Sequence, residues 1–348
     1  LFRSARALAE TKLTIQMQHE DASLERFAEQ FRRIVVNVRE GRASPHKICM
    51  LLAVLDLALS GGLRENLVRY APPLLERYHR YFNAVRRDGD HPNPYFPFFH
   101  LRGALRGGGV SFWQLVPLPG RDAEVVALST ARSDSDILRN LQGARLDSEL
   151  HGLLQQERSV RLLLQAVARH WFDRGLQELG RIAESSQAAS QYERMLRDGQ
   201  LLKDGERAPP SYVRKPAFRR LVVELYDYRC AATGHRVLLE GGEAMVEAAH
   251  IHPFAEAGDD DPRNGLALTP DMHWAMDRNL IAPGPDFRWH VSRALDDRVP
   301  DFRRLVDLDG RPLLLPTQRA MWPRGDVLAW RMDRLRHRDW RPQPMDPV

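Results

Sequence analysis

From Met245 to Leu280 the hydrophobic pattern changes its period, and few folds accommodate the order in which it does so. An apolar run ends in His250 and a loop crowded with acids and turn formers follows. Asn264-Gly265 then opens a second apolar run, and Pro270 starts a short helix bearing His273. Alternation that gives way to helical spacing predicts two strands and a helix, with polar side chains at their junctions. An imidazole at the end of a rigid strand can take a proton from water near neutral pH, which makes His250 a candidate base. His273 and Asp277 lie one helical turn apart, so they share a face that can hold one divalent ion. Alternation puts Glu247 on the side of Ala249 and His252 on the side of His250, and both are candidates for a further ligand or a supporting contact. The run Asp259, Asp260, Asp261 reads as a solvated turn before Pro262.

This order and spacing resembles the site of HNH nucleases, a ββα-metal arrangement in which His250, Asn264 and His273 stand where the three naming residues of the family stand. The resemblance implies metal-dependent hydrolysis of a phosphodiester. His250 activates the water, and one divalent ion, Mg2+, Mn2+ or similar, contacts the scissile phosphate and stabilises the departing 3′ oxygen. It further implies that Asn264 orients the base, bridging the loop backbone and holding the imidazole tautomer. One departure is Ala249, which stands where many members carry an Asp or His ligand just before the base. The ion is then left to His273, Asp277 and water, with Glu247 or His252 in reserve. The segment Arg229 to Gly234 resembles the turn in which zinc-bound relatives place a first CxxC, but the chain has only two cysteines, Cys49 and Cys230. That excludes a four-cysteine zinc site and argues against a disulfide framework, so no structural zinc is expected.

At 348 residues the chain is long enough for two domains or more. A net charge of +5 and a pI near 9.4 fit a polyanionic partner without demanding one. No stretch has the length and apolarity of a membrane span and no secretory leader is evident, so a cytoplasmic protein is expected. There is no Gly-rich phosphate loop, nucleophile elbow or internal repeat.

In chain order, residues 1–23 are weakly patterned and read as an extension. Phe27, Phe31, Ile34, Val35 and Val38 recur at helical spacing and predict a helix from Leu24 to about Glu40, stopped by Gly41. Ser44 reads as the cap and Pro45 as the first turn of a second helix, apolar almost all round and ended by Gly61 and Gly62. His46 and Lys47 sit in that first turn, where free amides and the dipole favour an anion. A short strand-like LVRY precedes a helix from Pro72 with Leu74, Leu75, Tyr78, Phe82 and Val85 on its inner side. A dense proline and aromatic segment, Pro92 to Leu101, and a strand-like FWQLVPL follow. Beyond Ser129 the chain reads as helical through Phe172. A polar helix from about Leu176 to Arg197 reads as a spacer, and LKDGERAPPSY as a linker. Further on come a helix from Ala217 to Tyr226, strands at FRWHVS and RPLLLP, and a basic terminal helix, WRMDRLRHRDWR, that is either a solvated face or a DNA-backbone contact.

The segment Pro92 to Leu101, together with the Pro45-His46-Lys47 helix start, resembles the sulfur-binding domain of type IV, modification-dependent restriction endonucleases, often fused to a C-terminal HNH domain. The resemblance implies an apolar cup for the sulfur of phosphorothioate DNA, formed by Phe96, Pro97 and His100, and a backbone grip by His46 and Lys47. An apolar cup rewards sulfur because a non-bridging oxygen loses its hydration there without compensation. In that family a tyrosine and a small aliphatic residue often stand where this chain has Phe96 and His100.

The expected architecture is α+β: an extension over 1–23, a mixed α/β DNA reader over 24–175, a helical spacer and linker over 176–205, and a ββα-metal nuclease over 206–348. The expected partner is double-stranded DNA, with a homodimer left open. Two alternatives stand beside a phosphorothioate-reading nuclease: an HNH nuclease that reads another modification or unmodified DNA, and a DNA-binding or regulatory protein with a dead nuclease fold.

Overall fold

The computed structural model describes residues 18–39, 42–103, 111–172, 178–200, 207–239 and 242–336. The lead-in to residue 17, the expected stop at Gly41, the charged half of the linker at 201–206 and the tail beyond residue 336 lie outside them. The chain folds as two compact units, Leu1–Arg194 with Glu240–Gly242, and Met195–Leu239 with Glu243–Val348. Among the described residues all paired strands form two-stranded antiparallel sheets, so the architecture is α+β with helices dominant.

In the first unit, α1 covers residues 18–32 of the described chain. It stops short of the expected Glu40. Phe27, Phe31 and Ile34 are buried, whereas Val35 and Val38 are exposed and the chain turns into a hairpin of β1 (Val38–Arg39) and β2 (Arg42–Ala43). The β-branched run Ile34, Val35, Val36 explains the early stop, since such side chains lose rotamer freedom in a helix. Next come α2 (His46–Leu59), α3 (Pro72–Val85) and α4 (Tyr95–His100). Strand β3 (Trp113–Pro117) is followed by α5 (Asp122–Ala127) and α6 (Asp134–Asn140). Then β4 (Leu141–Leu146) pairs with β3, and α7 (Ser148–Leu154), α8 (Glu157–Phe172) and α9 (Glu178–Arg197) complete the run. The expected strand at LVRY is reduced to one bridge, Val68 with Ala144.

An all-apolar helix must be surrounded, and α2 is buried from Ile48 through Leu59 at the centre of the first unit's core. Its one carboxylate, Asp56, is fully buried and accepts from Arg80 at 2.6 Å and from the Ser186 and Ser190 hydroxyls of α9. Nearby Arg77, 1% exposed, donates to both oxygens of Glu193 at 3.0 and 2.8 Å. These bonds make the polar stripe of α9, read from sequence as a spacer face, part of the interior of the first unit up to Arg194.

The second unit holds α10 (Ser211–Leu225), β5 (Glu247–His250) and the one-turn α11 (Phe254–Ala257). After these come β6 (Gly265–Leu268), α12 (Pro270–Asp277), β7 (Ile281–Pro283), β8 (Trp289–Val291), α13 (Arg303–Val306) and α14 (Gly325–Asp333). Strands β5 and β6 pair with His250 opposite Gly265 and Ala249 opposite Leu266. Glycine at 265 is required by packing: a Cβ there would stand 2.6 Å from a Val222 methyl and 2.9 Å from the Phe218 ring of α10. The expected strand at RPLLLP forms only a bridge, Pro312 with Arg288. Helix α14 is no solvated face over its described length, because Val327, Leu328, Arg331 and Met332 are buried. Buried Cys230 pairs its sulfur with Thr269, the backbone N–H donating at 3.4 Å, so the turn that resembles a zinc knuckle is closed by packing against β6 and α12.

Candidate active site

His250 ends β5 with its ring half-buried against α10. The Phe218 ring lies parallel to it, 2° between planes and 3.9 Å between centroids. Its Nε2 bonds Asp260 Oδ1 at 2.8 Å, and Arg214 Nη1 reaches both oxygens of the same carboxylate at 2.8 and 3.1 Å. Arg214 and Phe218 are one helical turn apart on α10, so one helix face supplies both the ring support and the counter-charge. Among the described residues His250 Nδ1 has no protein hydrogen-bond partner.

The acidic loop is therefore not the solvated turn that its composition suggests. Asp260 and Asp261 are 3% and 2% exposed. Asp261 caps the turn Pro262–Asn264 and is gripped by Arg263 and Arg324. Burial raises its pKa, but the bonds from these two guanidinium groups outweigh that and bring it below the ordinary range.

Asn264 is fully buried and works on the loop backbone. Its Oδ1 accepts from His252 N–H at 2.8 Å, and its Nδ2 donates to the carbonyls of His252 and Asp259 at 2.9 and 3.0 Å. The expected bridging is present. The expected hold on the imidazole is not among its contacts, since the ring nitrogen is bonded to Asp260 instead. The same bonds bend the chain after His250 and end the alternation that placed His252 beside it. The His252 ring stacks on Trp330 of α14, 3.9 Å between centroids, and burial lowers its pKa. It supports α14 and does not join His273.

His273, in the second turn of α12, sits between two carboxylates. Its Nδ1 bonds Glu247 at 3.0 Å and its Nε2 lies 3.5 Å from Asp277. Two neighbouring donors of one octahedral ion with bonds of about 2.1 Å stand roughly 3 Å apart, so the His273–Asp277 edge fits a divalent ion. Glu247 bonds the other ring nitrogen, the arrangement by which a carboxylate fixes the orientation of a metal-binding imidazole. Among the described residues no three such side chains converge into a ready cage. Water and a phosphate oxygen would supply the remaining ligands, as is usual for hard divalent ions. Ala249 is fully buried, so that position faces packing and not the ion.

One residue that the sequence reading missed links the two halves. Arg331 of α14, 2% exposed, donates to the carbonyls of Ile251 at 2.7 Å, His250 at 3.4 Å and Met276 at 3.3 Å, and to Asn279 Oδ1 at 3.2 Å. It ties the strand that ends in His250 to the C-terminus of the helix carrying His273 and Asp277. Burial lowers its pKa.

The residues expected to read DNA lie in the first unit. Ser44 does not cap α2; its hydroxyl bonds His46 Nδ1 at 3.0 Å, while His46 Nε2 meets the His91 carbonyl at 2.9 Å. Lys47 donates to the Val35 carbonyl at 3.0 Å, and burial lowers its pKa. Phe96 is 39% exposed and 4.4 Å from the His100 ring, whereas Pro97 is buried. His100 bonds the Thr130 hydroxyl at 2.9 Å; burial first, then the charges of Lys47 and Arg102, hold its pKa below the ordinary range. His100 thus neighbours both Phe96 and Lys47, and its Nε2 and the Lys47 ammonium are each bonded within the chain.

Residues 230–282 match the HNH endonuclease family, a span that includes His250, Asn264, His273 and Asp277. Among solved structures the chain is similar to a modification dependent TagI restriction endonuclease, at 18% identity and a TM-score of 0.27, over 40% of this chain and 42% of that one. The chain thus spans less than half of that relative. No curated protein matches it. No helix among the described residues is long and apolar enough to cross a membrane. The second unit thus carries an HNH endonuclease domain at residues 230–282.

Proposed function

We propose that the protein is a restriction endonuclease that selects double-stranded DNA with its first unit and hydrolyses it at a metal-dependent site in its second. The observation that carries the reading is a strand-end imidazole with one nitrogen bonded to Asp260 and the other open, on the same ββα unit as the His273–Asp277 edge. Water gives a proton to His250, its oxygen attacks phosphorus, and the 3′ oxygen leaves with the electron pair of the broken P–O bond. His273 and Asp277 would hold the divalent ion, with Glu247 fixing the His273 ring. The bound ion supplies charge stabilisation to the departing oxygen. Asn264 keeps the loop behind His250 in place.

For selection, the face carrying Phe96, His100 and Lys47 contacts DNA, with Pro97 beneath it and His46 bracing the start of α2. Phosphorothioate is the modification to test first, on the strength of the resemblance of these segments to sulfur-binding domains. A second reading, selection of another modification or of unmodified DNA, is favoured by buried Pro97 and by the polar ring of His100 bonded to Thr130, which narrow an apolar cup. Cleavage of plasmids with and without phosphorothioate, at a series of Mg2+ and Mn2+ concentrations, tests all of this. Metal-dependent cleavage of modified plasmid alone supports the full proposal. Equal cleavage of both supports the second reading, and no cleavage with either metal would leave a DNA-binding protein with an inactive nuclease fold.

A further inference from the structure

We infer that Asp260, backed by Arg214, is the positioning residue that fixes the tautomer of His250 and so decides which nitrogen takes the proton from water. The inference rests on the reading of His250 as the base. A carboxylate held by a guanidinium is an acceptor, so in the 2.8 Å contact His250 Nε2 is the donor and carries the hydrogen. A neutral imidazole with Nε2–H has its lone pair on Nδ1. Nδ1 is the nitrogen left open among the described residues, and it is therefore the proton acceptor.

The surroundings make this arrangement rigid. Asp260 is 3% exposed and cannot turn to water, and the Arg214 guanidinium is itself fixed 3.4 Å over the Phe254 ring. Phe218 holds the imidazole plane from one side. Asn264 acts one step further back, since its bond to the Asp259 carbonyl anchors the residue before Asp260. When Nδ1 receives the proton, the O–H bond of water breaks and the new positive charge on the ring faces Asp260, which stabilises it as the buried aspartate of a catalytic triad does. Without that carboxylate the ring is free to place its hydrogen on Nδ1, which blocks the acceptor.

The test uses the full chain with Mn2+ and a plasmid it cleaves. Asp260→Asn is expected to lower kcat by about a hundredfold or more, with KM and the Mn2+ midpoint unchanged. Long-range proton–nitrogen spectra of the chain labelled at histidine, with the His250 signals identified by their loss in His250→Ala, are expected to show the hydrogen on Nε2 in the wild type and on Nδ1, or on both in exchange, in Asp260→Asn. Because Asp260→Asn leaves Arg214 buried beside a neutral partner, the double variant Asp260→Asn with Arg214→Gln removes both charges. It is expected to regain thermal stability while kcat stays low. Recovery of kcat together with stability would make the pair merely structural and overturn the proposal, as would wild-type His250 carrying its hydrogen on Nδ1. Normal cleavage by His250→Ala, with Nε2–H still seen in the wild type, would instead reject His250 as the base and leave the hold of Asp260 on the ring standing.

Discussion

Each unit buries a charged network, and the two differ in where they end. In the first, Asp56, Arg77 and Glu193 are buried and the network reaches the surface only as the partly exposed guanidinium of Arg80, with the Ser186 and Ser190 hydroxyls also bonded to Asp56, which ties α2, α3 and α9 together. In the second, Arg214 and Asp260 lead to an imidazole that is half-buried and keeps one nitrogen open. A guanidinium offers only donors, whereas an imidazole with one nitrogen held by a buried pair and the other open can accept a proton.

The open end of the second network is His250. His250→Ala should lower plasmid cleavage by about 10²- to 10⁴-fold with DNA affinity nearly unchanged; a filter-binding and cleavage series that shows parallel losses would make the residue structural, like its counterparts in the first unit. Glu193→Gln probes the first network. Removing the carboxylate that bonds buried Arg77 most closely, with Asp56 still 3.9 Å away, should cost up to about 3–5 kcal/mol of stability in the first unit, read by denaturant unfolding, with cleavage per folded molecule retained.

Glu247→Gln sharpens the picture of the ion's edge, since loss of an outer carboxylate should weaken Mn2+ affinity by roughly 10- to 100-fold and be restored by excess metal. Metal titration of cleavage checks this, and an unchanged midpoint would separate Glu247 from the site. A smaller effect is expected at Lys47. If it meets a phosphate, Lys47→Ala should reduce the slope of log affinity against log salt by about 0.9, equally for modified and ordinary duplexes.

The smallest effect concerns pH. Burial lowers the pKa of His46, His79 and His100 in the first unit and of His252 in the second. In the unfolded chain these groups bind protons at about pH 6.5, so below that pH the unfolded state takes up more protons and stability falls as pH drops. Thermal unfolding across pH 7.5 to 5 should show the loss mainly in the first unit.

Much of the second unit was legible because its signals are local. Two apolar runs of strand length, Gly265 and a proline-started helix specify β5, β6 and α12 without reference to the rest of the chain, and the one-turn spacing of His273 and Asp277 fixes a shared face. The same local logic misled at Val35 and Val38, where apolar spacing suggested a helix that β-branched side chains do not sustain. It misled again at Asp259, Asp260 and Asp261, where turn-forming residues suggested exposure. The helix expected from Ala217 to Tyr226 in fact starts at Ser211, and only that added turn puts Arg214 on the face of Phe218.

The ββα unit, the strand-end place of His250 and the shared face of His273 and Asp277 follow from sequence alone, because each depends on spacing within one element or between adjacent ones. Only the tertiary structure decided what holds them. Asp260 reaches His250 because Asn264 bends the loop, Arg214 balances Asp260 from α10, and Arg331 arrives from α14, far along the chain, to join β5 to α12. Those partners are chosen by burial: an unpaired charge or carbonyl in the interior costs too much to persist, and which distant residue satisfies it is settled only when the elements pack.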